Sequence, residues 1–167
     1  RALYAGLVVW LIFLRLLPLG SVAGGWPGPD LVLCLTLAWV LRRPDYTPVP
    51  IVALVILLED LLLMRPPGLW AAIVVLASEF LRRRGALARE LSFAVEWLLV
   101  AAVMTAAMLG FRLVLLLAML PQVSLGQAMI QLIISILCYP VVVGASRLAF
   151  GVRKPATGEV DAYGRRL

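Results

Sequence analysis

Glu59-Asp60-Leu61-Leu62-Leu63-Met64-Arg65-Pro66-Pro67-Gly68 closes one long apolar run and opens the next. Two adjacent acids lie inside a segment that otherwise reads as lipid-buried helix. Acids at membrane depth are costly, so they face protein or water and mark function. The Pro-Pro-Gly step that follows predicts a sharp reversal of the chain rather than a continuing helix.

Working outward, the 167 residues suit one domain, and 63% of them are hydrophobic, whereas an ordinary soluble chain is nearer half. The mean hydropathy of +1.04 agrees, and the 14% of charged residues cluster between apolar runs. This composition predicts an all-α integral membrane protein with about six transmembrane helices. The net charge of +6 is then a matter of topology rather than a nucleic-acid footprint. Cys34 and Cys138 fall within apolar runs and read as small buried hydrophobes. No cofactor or metal is expected.

Spans of roughly 17–25 apolar residues cross a bilayer as helices. The first is placed over about Ala2 to Leu19 and is expected to stay as an anchor; an uncharged loop, Gly20 to Pro29, follows. The second, Asp30 to Leu41, is short and ends at Arg42-Arg43-Pro44-Asp45. The third runs from Val49 to Met64, with Pro48 and Pro50 where a missing N–H costs little. The fourth, Gly68 to Leu81, is again short and meets Arg82-Arg83-Arg84. The fifth covers Leu91 to Leu120 and the sixth about Leu125 to Phe150, making 1–150 a six-helix transmembrane domain and 151–167 a cytoplasmic polar tail. Placing both termini in the cytoplasm puts twelve of the fifteen basic residues on that side, as the positive-inside rule prefers.

That topology gathers Arg15, Asp30, Glu59, Asp60, Arg65 and Arg112 into one outer layer whose charges sum to zero. Pairing is expected, because a buried charge left alone is strongly destabilising. Arg15 and Arg112 are the expected counter-ions of Asp60 and Glu59. Adjacent residues point about 100° apart on a helix, so the two acids cannot both face one partner. The layer reads either as a polar ligand site, as a docking site for a partner's helix, or as pairs that only set helix register. Glu79, Glu90 and Glu96, near Arg82 to Arg89, read as snorkelling interfacial pairs. Ala102, Ala106 and Gly110 recur every four residues and suit close helix packing, within the bundle or against a partner; Gly6 after Ala2 is a weaker case.

Catalysis is not expected. With no His in the chain, neither an H-E-x-x-H metal pair nor a Ser-His dyad can form. The Glu59-Asp60 pair with Arg65 loosely resembles intramembrane CAAX-type proteases, which also use His. No G-x-x-x-x-G-K phosphate loop occurs.

The central stretch resembles the rod shape-determining MreD family, whose members carry an Asp near a span end and a Pro-x-Gly-Leu turn six residues later. Asp60, Pro66, Gly68 and Leu69 match, followed by Trp70-Ala71. The segment from Pro29 to Pro44 is similar to that family's helix ending in a basic Pro loop, while Pro67 and Met64 depart from its pattern. The resemblance implies a non-enzymatic scaffold subunit of the cell-elongation complex in the bacterial inner membrane. Its implied partners are MreC, then RodA with its transpeptidase and MreB, together with membrane lipid and no nucleic acid. It also implies a fold similar to the substrate-binding subunits of energy-coupling-factor transporters. The alternative is therefore a small-molecule or lipid-binding membrane subunit of a transporter.

Overall fold

The computed structural model describes residues 1–17, 28–84 and 92–150. The expected loop over 20–27, Glu90, Arg89 and the tail over 151–167 lie outside these residues. Among the described residues, six α-helices follow one another: α1 (Ala2–Leu16), α2 (Leu31–Arg42), α3 (Val49–Leu62), α4 (Leu69–Arg83), α5 (Phe93–Leu117) and α6 (Leu125–Phe150), with a 3-10 turn at Pro44–Tyr46 after α2.

The centre is α2. Its residues from Val32 to Arg42 are all buried. A helix that is apolar all round has to be covered on every side, and α1, α4 and α6 supply the cover. α1 turns a single stripe inward, Tyr4, Val8 and Ile12, spaced one turn apart. α4 does the same with Trp70, Ala71, Val74, Ser78 and Leu81, while α6 presents Ala128, Leu132, Ser135, Tyr139, Val143 and Ser146. Each of these spacings is the 3.6-residue period of a helix packed on one face.

The reversal expected at Pro66-Pro67-Gly68 is present. α3 ends at Leu62 and α4 begins at Leu69, with Gly68 at φ +86° and ψ −15°. Leu69 N–H donates to the Pro66 carbonyl at 3.3 Å, so Pro67 and Gly68 occupy the two central positions of a type II turn. The second of those positions requires positive φ, which glycine adopts without strain.

The expectation of six membrane-crossing helices is corrected. Among the described residues two helices, Phe93–Leu117 and Leu125–Ala149, are long and apolar enough to cross a membrane. The other four have 12 to 15 residues. At 1.5 Å per residue they reach only about 18–23 Å, short of a hydrocarbon layer of about 30 Å. Hydropathy misleads at α2 because its apolar residues answer protein on every side. The multi-pass inner-membrane placement and the topology with both termini inside needed six alternating crossings, and they fall with the span count. In α5 and α6, 28% of each apolar window is buried, so most of each helix faces outward. The small-residue stripe lies on that outward side: Ala102 and Ala106 are exposed, and nothing lies within 4 Å of a Cβ built on Gly110. The same holds for Gly6. α5 packs instead through Val100, Val103, Met104 and Ala107, which corrects the expected packing of the stripe within the bundle.

Pro140 lies inside α6 and has no N–H for the carbonyl of Ile136, four residues back. Trp97 of α5 supplies the missing donor, its indole Nε1–H reaching that carbonyl at 2.8 Å. Trp97→Phe is therefore expected to destabilise the chain by about 1–3 kcal/mol, the cost of an unsatisfied buried acceptor. In a double-mutant cycle read by chemical denaturation, Pro140→Ala restores a local donor. The Trp97→Phe penalty should then be smaller in the Pro140→Ala background than alone; an unchanged penalty would assign it to lost packing.

Candidate functional site

Glu59 and Asp60 end α3, and both are fully buried. Pointing about 100° apart, they meet different partners. Glu59 Oε1 accepts from Arg15 Nη1 at 2.7 Å, joining α3 to α1. Asp60 meets no arginine within ion-pair distance among the described residues; its Oδ2 accepts from the backbone N–H of Gly68 at 3.2 Å and Ala71 at 3.1 Å. These are donors that the first turn of α4 leaves without helical partners, and a carboxylate there also answers the positive end of the helix dipole. The expected pairing is thus corrected. Arg15 is the counter-ion of Glu59, the first turn of α4 takes that place for Asp60, and Arg112 pairs with neither. Arg112 Nη1 donates to the Val123 carbonyl at 3.2 Å instead.

Asp30 caps α2, its Oδ1 accepting from Leu33 N–H at 3.1 Å, and lies 3.8 Å from Arg15. Its own N–H donates to Ser135 Oγ at 2.8 Å, anchoring the start of α2 on α6. One arginine therefore stands between two acids. Burial raises the Glu59 carboxyl to about 7, helped by the negative charge of Asp30 and opposed by Arg15 and Arg65. Asp60 is also raised, by burial, against the lowering effect of its backbone donors and Arg65. Burial lifts the Tyr4 phenol to about 12 even though it is bonded to Thr36 Oγ1 at 2.9 Å. Burial pushes the Cys34 thiol up as well, leaving it a neutral donor to the Ser135 carbonyl at 3.3 Å.

A second ionic cluster sits among α2, α5 and α6. Arg42 Nη2 and Glu96 Oε1 are 2.7 Å apart with side chains 4% and 0% exposed. Tyr139 Oη donates to Glu96 Oε1 at 2.9 Å and accepts from Arg42 Nη1 at 3.3 Å. Glu96 is thus a core residue, which corrects its reading as a snorkelling surface acid. Sequence reasoning also missed Arg42, whose place at the end of an apolar helix reads as a flank. Glu79 does form its local pair, 3.0 Å from Arg82.

A cavity of about 970 Å³ opens beside the first layer. It lies where the start of α2, the α3–α4 turn, the C-terminal half of α5 and the start of α6 converge. Arg15, Asp30 and Arg112 line it, as does Pro66; Glu59, Asp60, Gly68 and Leu69 are not in its wall. Most of the wall is apolar: Leu33, Met104, Met108, Leu115 and Leu132, with Trp70 and Phe111 packed edge to face at a centroid separation of 5.3 Å. Arg65 lies over the Trp70 ring, 5.6 Å from its centroid. Trp70 is 7% exposed, and its indole Nε1 has no acceptor among the described residues. Among those residues no cluster of three metal-ligating side chains occurs.

No protein-family model, curated protein or solved structure matches this chain. The resemblance to the rod shape-determining family is corrected accordingly. The similarity to transporter substrate-binding subunits has no matching structure behind it. The scaffold role and the alternative of a transporter's membrane subunit rested on that family and on six spans, and both fall. The implied partners rested on the resemblance alone and are not carried further.

Glu59 makes stability depend on pH in a stated direction. At and below its ordinary 4.5 the carboxyl is largely neutral, and the folded state's preference for that form adds stability. As pH rises through the folded value of about 7, that contribution is lost. Urea unfolding from pH 4.5 to 7 should show a decline in stability that is flatter in Glu59→Gln; equal slopes would remove Glu59 as its source. Asp60→Ala leaves two backbone donors of α4 unanswered and is expected to cost about 1–2 kcal/mol, with Asp60→Asn costing less, in the same measurement.

Proposed function

We propose that this chain binds a small molecule with a largely apolar body in the cavity beside α2, without turning it over. The observation that carries the reading is the wall itself. A space of about 970 Å³ lined largely by leucines, methionines and an aromatic pair, with some charged and polar side chains in its wall, has the make-up of a ligand pocket. Met104 and Met108 supply flexible, polarisable contacts that adapt to an irregular apolar shape.

The placing of the nearby acids supports binding without reaction. A general base needs a lone pair free to reach substrate. Asp30 caps α2 beside Arg15, Glu59 pairs with Arg15, and Asp60 holds the first turn of α4. The last two are fully buried behind the wall.

Much of the outer surface is also apolar, so the test has to separate cavity from surface. Nile red is expected to bind saturably, one per chain. Ala128→Trp, which fills the cavity, should weaken that binding by about tenfold or more, the loss expected when a well-packed apolar contact of about 1.4 kcal/mol is removed. Leu148→Trp, at a position 91% exposed, should leave it unchanged. Equal binding to both variants would place the probe on the outer surface and overturn the reading.

A further inference from the structure

We infer that the cavity's ligand is an amphiphilic anion, with its anionic group held by Arg65 and Arg112. The inference rests on the cavity being a ligand site and adds the chemistry of the ligand. Among the described residues, four charged side chains line the wall: Arg15, Arg65, Arg112 and Asp30. Arg15 is occupied by Glu59 at 2.7 Å and Asp30 at 3.8 Å, which accounts for the acid among them. Glu59 and Asp60 are fully buried behind it; one is paired with Arg15 and the other with the backbone of α4. Arg65 and Arg112 then remain, each with no carboxylate within 4.0 Å among the described residues.

Both guanidiniums are held in place with no carboxylate at ion-pair distance among the described residues, although the charge of Arg65 acts at longer range on Glu59 and Asp60. Arg65 rests over the Trp70 ring, and Arg112 is tied to the Val123 carbonyl at 3.2 Å. A cation held by a ring face or a carbonyl keeps its full charge and most of its N–H donors. Two cations on the wall of a largely apolar space suit a carboxylate or phosphate attached to a hydrocarbon body. A cationic or neutral head would leave the arginines unanswered.

Calorimetric titration of the full chain with dodecanoate, dodecyl phosphate, dodecanol and dodecyltrimethylammonium, each below its micelle concentration, tests this. Both anions are expected to bind about tenfold or more tighter than dodecanol, as charge-assisted hydrogen bonds allow. The order between the anions distinguishes a carboxylate from a phosphate source. In Arg65→Gln with Arg112→Gln that preference should shrink to about twofold while dodecanol binds as before, which also shows the variant to be folded. Dodecanol binding as tightly as the anions, or an anion preference that survives in the double variant, would overturn the anion inference and leave the apolar site standing. Failure of all four probes would overturn the ligand reading itself.

Discussion

α2 is buried along its whole length, and the rest of the structure answers that constraint. Each polar group it brings into the interior has to meet a partner there, since an unmet one costs about 1–3 kcal/mol. The partners come from three other helices. Tyr4 of α1 meets Thr36 at 2.9 Å, and Glu96 of α5 meets Arg42 at 2.7 Å. Ser135 and Ser146 of α6 meet Asp30 N–H at 2.8 Å and Trp39 Nε1 at 3.1 Å. The last two pairs advance together along both chains, so α2 and α6 run in the same direction in one register. A slip of a residue would break several of these contacts at once. The polar pairs thus fix register, while the apolar stripes of α1, α4 and α6 supply the burial.

The two acids of α3 show how one helix turn serves two tasks. Because neighbours diverge by about 100°, Glu59 reaches α1 and Asp60 reaches the start of α4. Asp60 thereby ties the end of one helix to the beginning of the next across a reversal that Pro67 and Gly68 already bend. Glu59 ties α1 to the same corner through Arg15, which leaves Arg15 unable to serve the cavity as a free cation. The cavity's chemistry follows from that division. Arg65 and Arg112 have no close carboxylate among the described residues, because Glu59 pairs with Arg15 and Asp60 with the backbone of α4.

Interior charge in this chain is arranged in two clusters of different character. Arg42, Glu96 and Tyr139 form a set in the core, with side chains of the ion pair 4% and 0% exposed. A pair so placed adds little net stability, but losing one partner is expensive, at about 3–5 kcal/mol. Arg15, with a side chain 28% exposed, sits at the edge of the cavity between two acids. Burial, with the nearby charge of Asp30, lets Glu59 hold its proton towards neutrality against the opposing pull of Arg15. The first cluster locks helices, and the second borders the space where a ligand would lie.

Local chemistry was legible from the amino-acid sequence. The reversal at Pro66-Pro67-Gly68 follows from two residues whose backbone freedom is limited and one whose freedom is wide, and Pro48 and Pro50 mark the start of α3 for the same reason. That Arg15, Asp30 and Glu59 gather at one end was also readable, because apolar helices of alternating direction place those charges together. What tertiary structure alone decided was which surface covers which. Hydropathy records that α2 is apolar on all sides but not whether lipid or protein covers it, so short core helices read as membrane spans. Pro140 announces that the Ile136 carbonyl needs a donor, yet only packing reveals Trp97 as that donor. Arg42 and Glu96 are 54 positions apart in the chain, and no local pattern relates them. The cavity, and the two arginines left unpaired on its wall, exist only once the helices have taken their places.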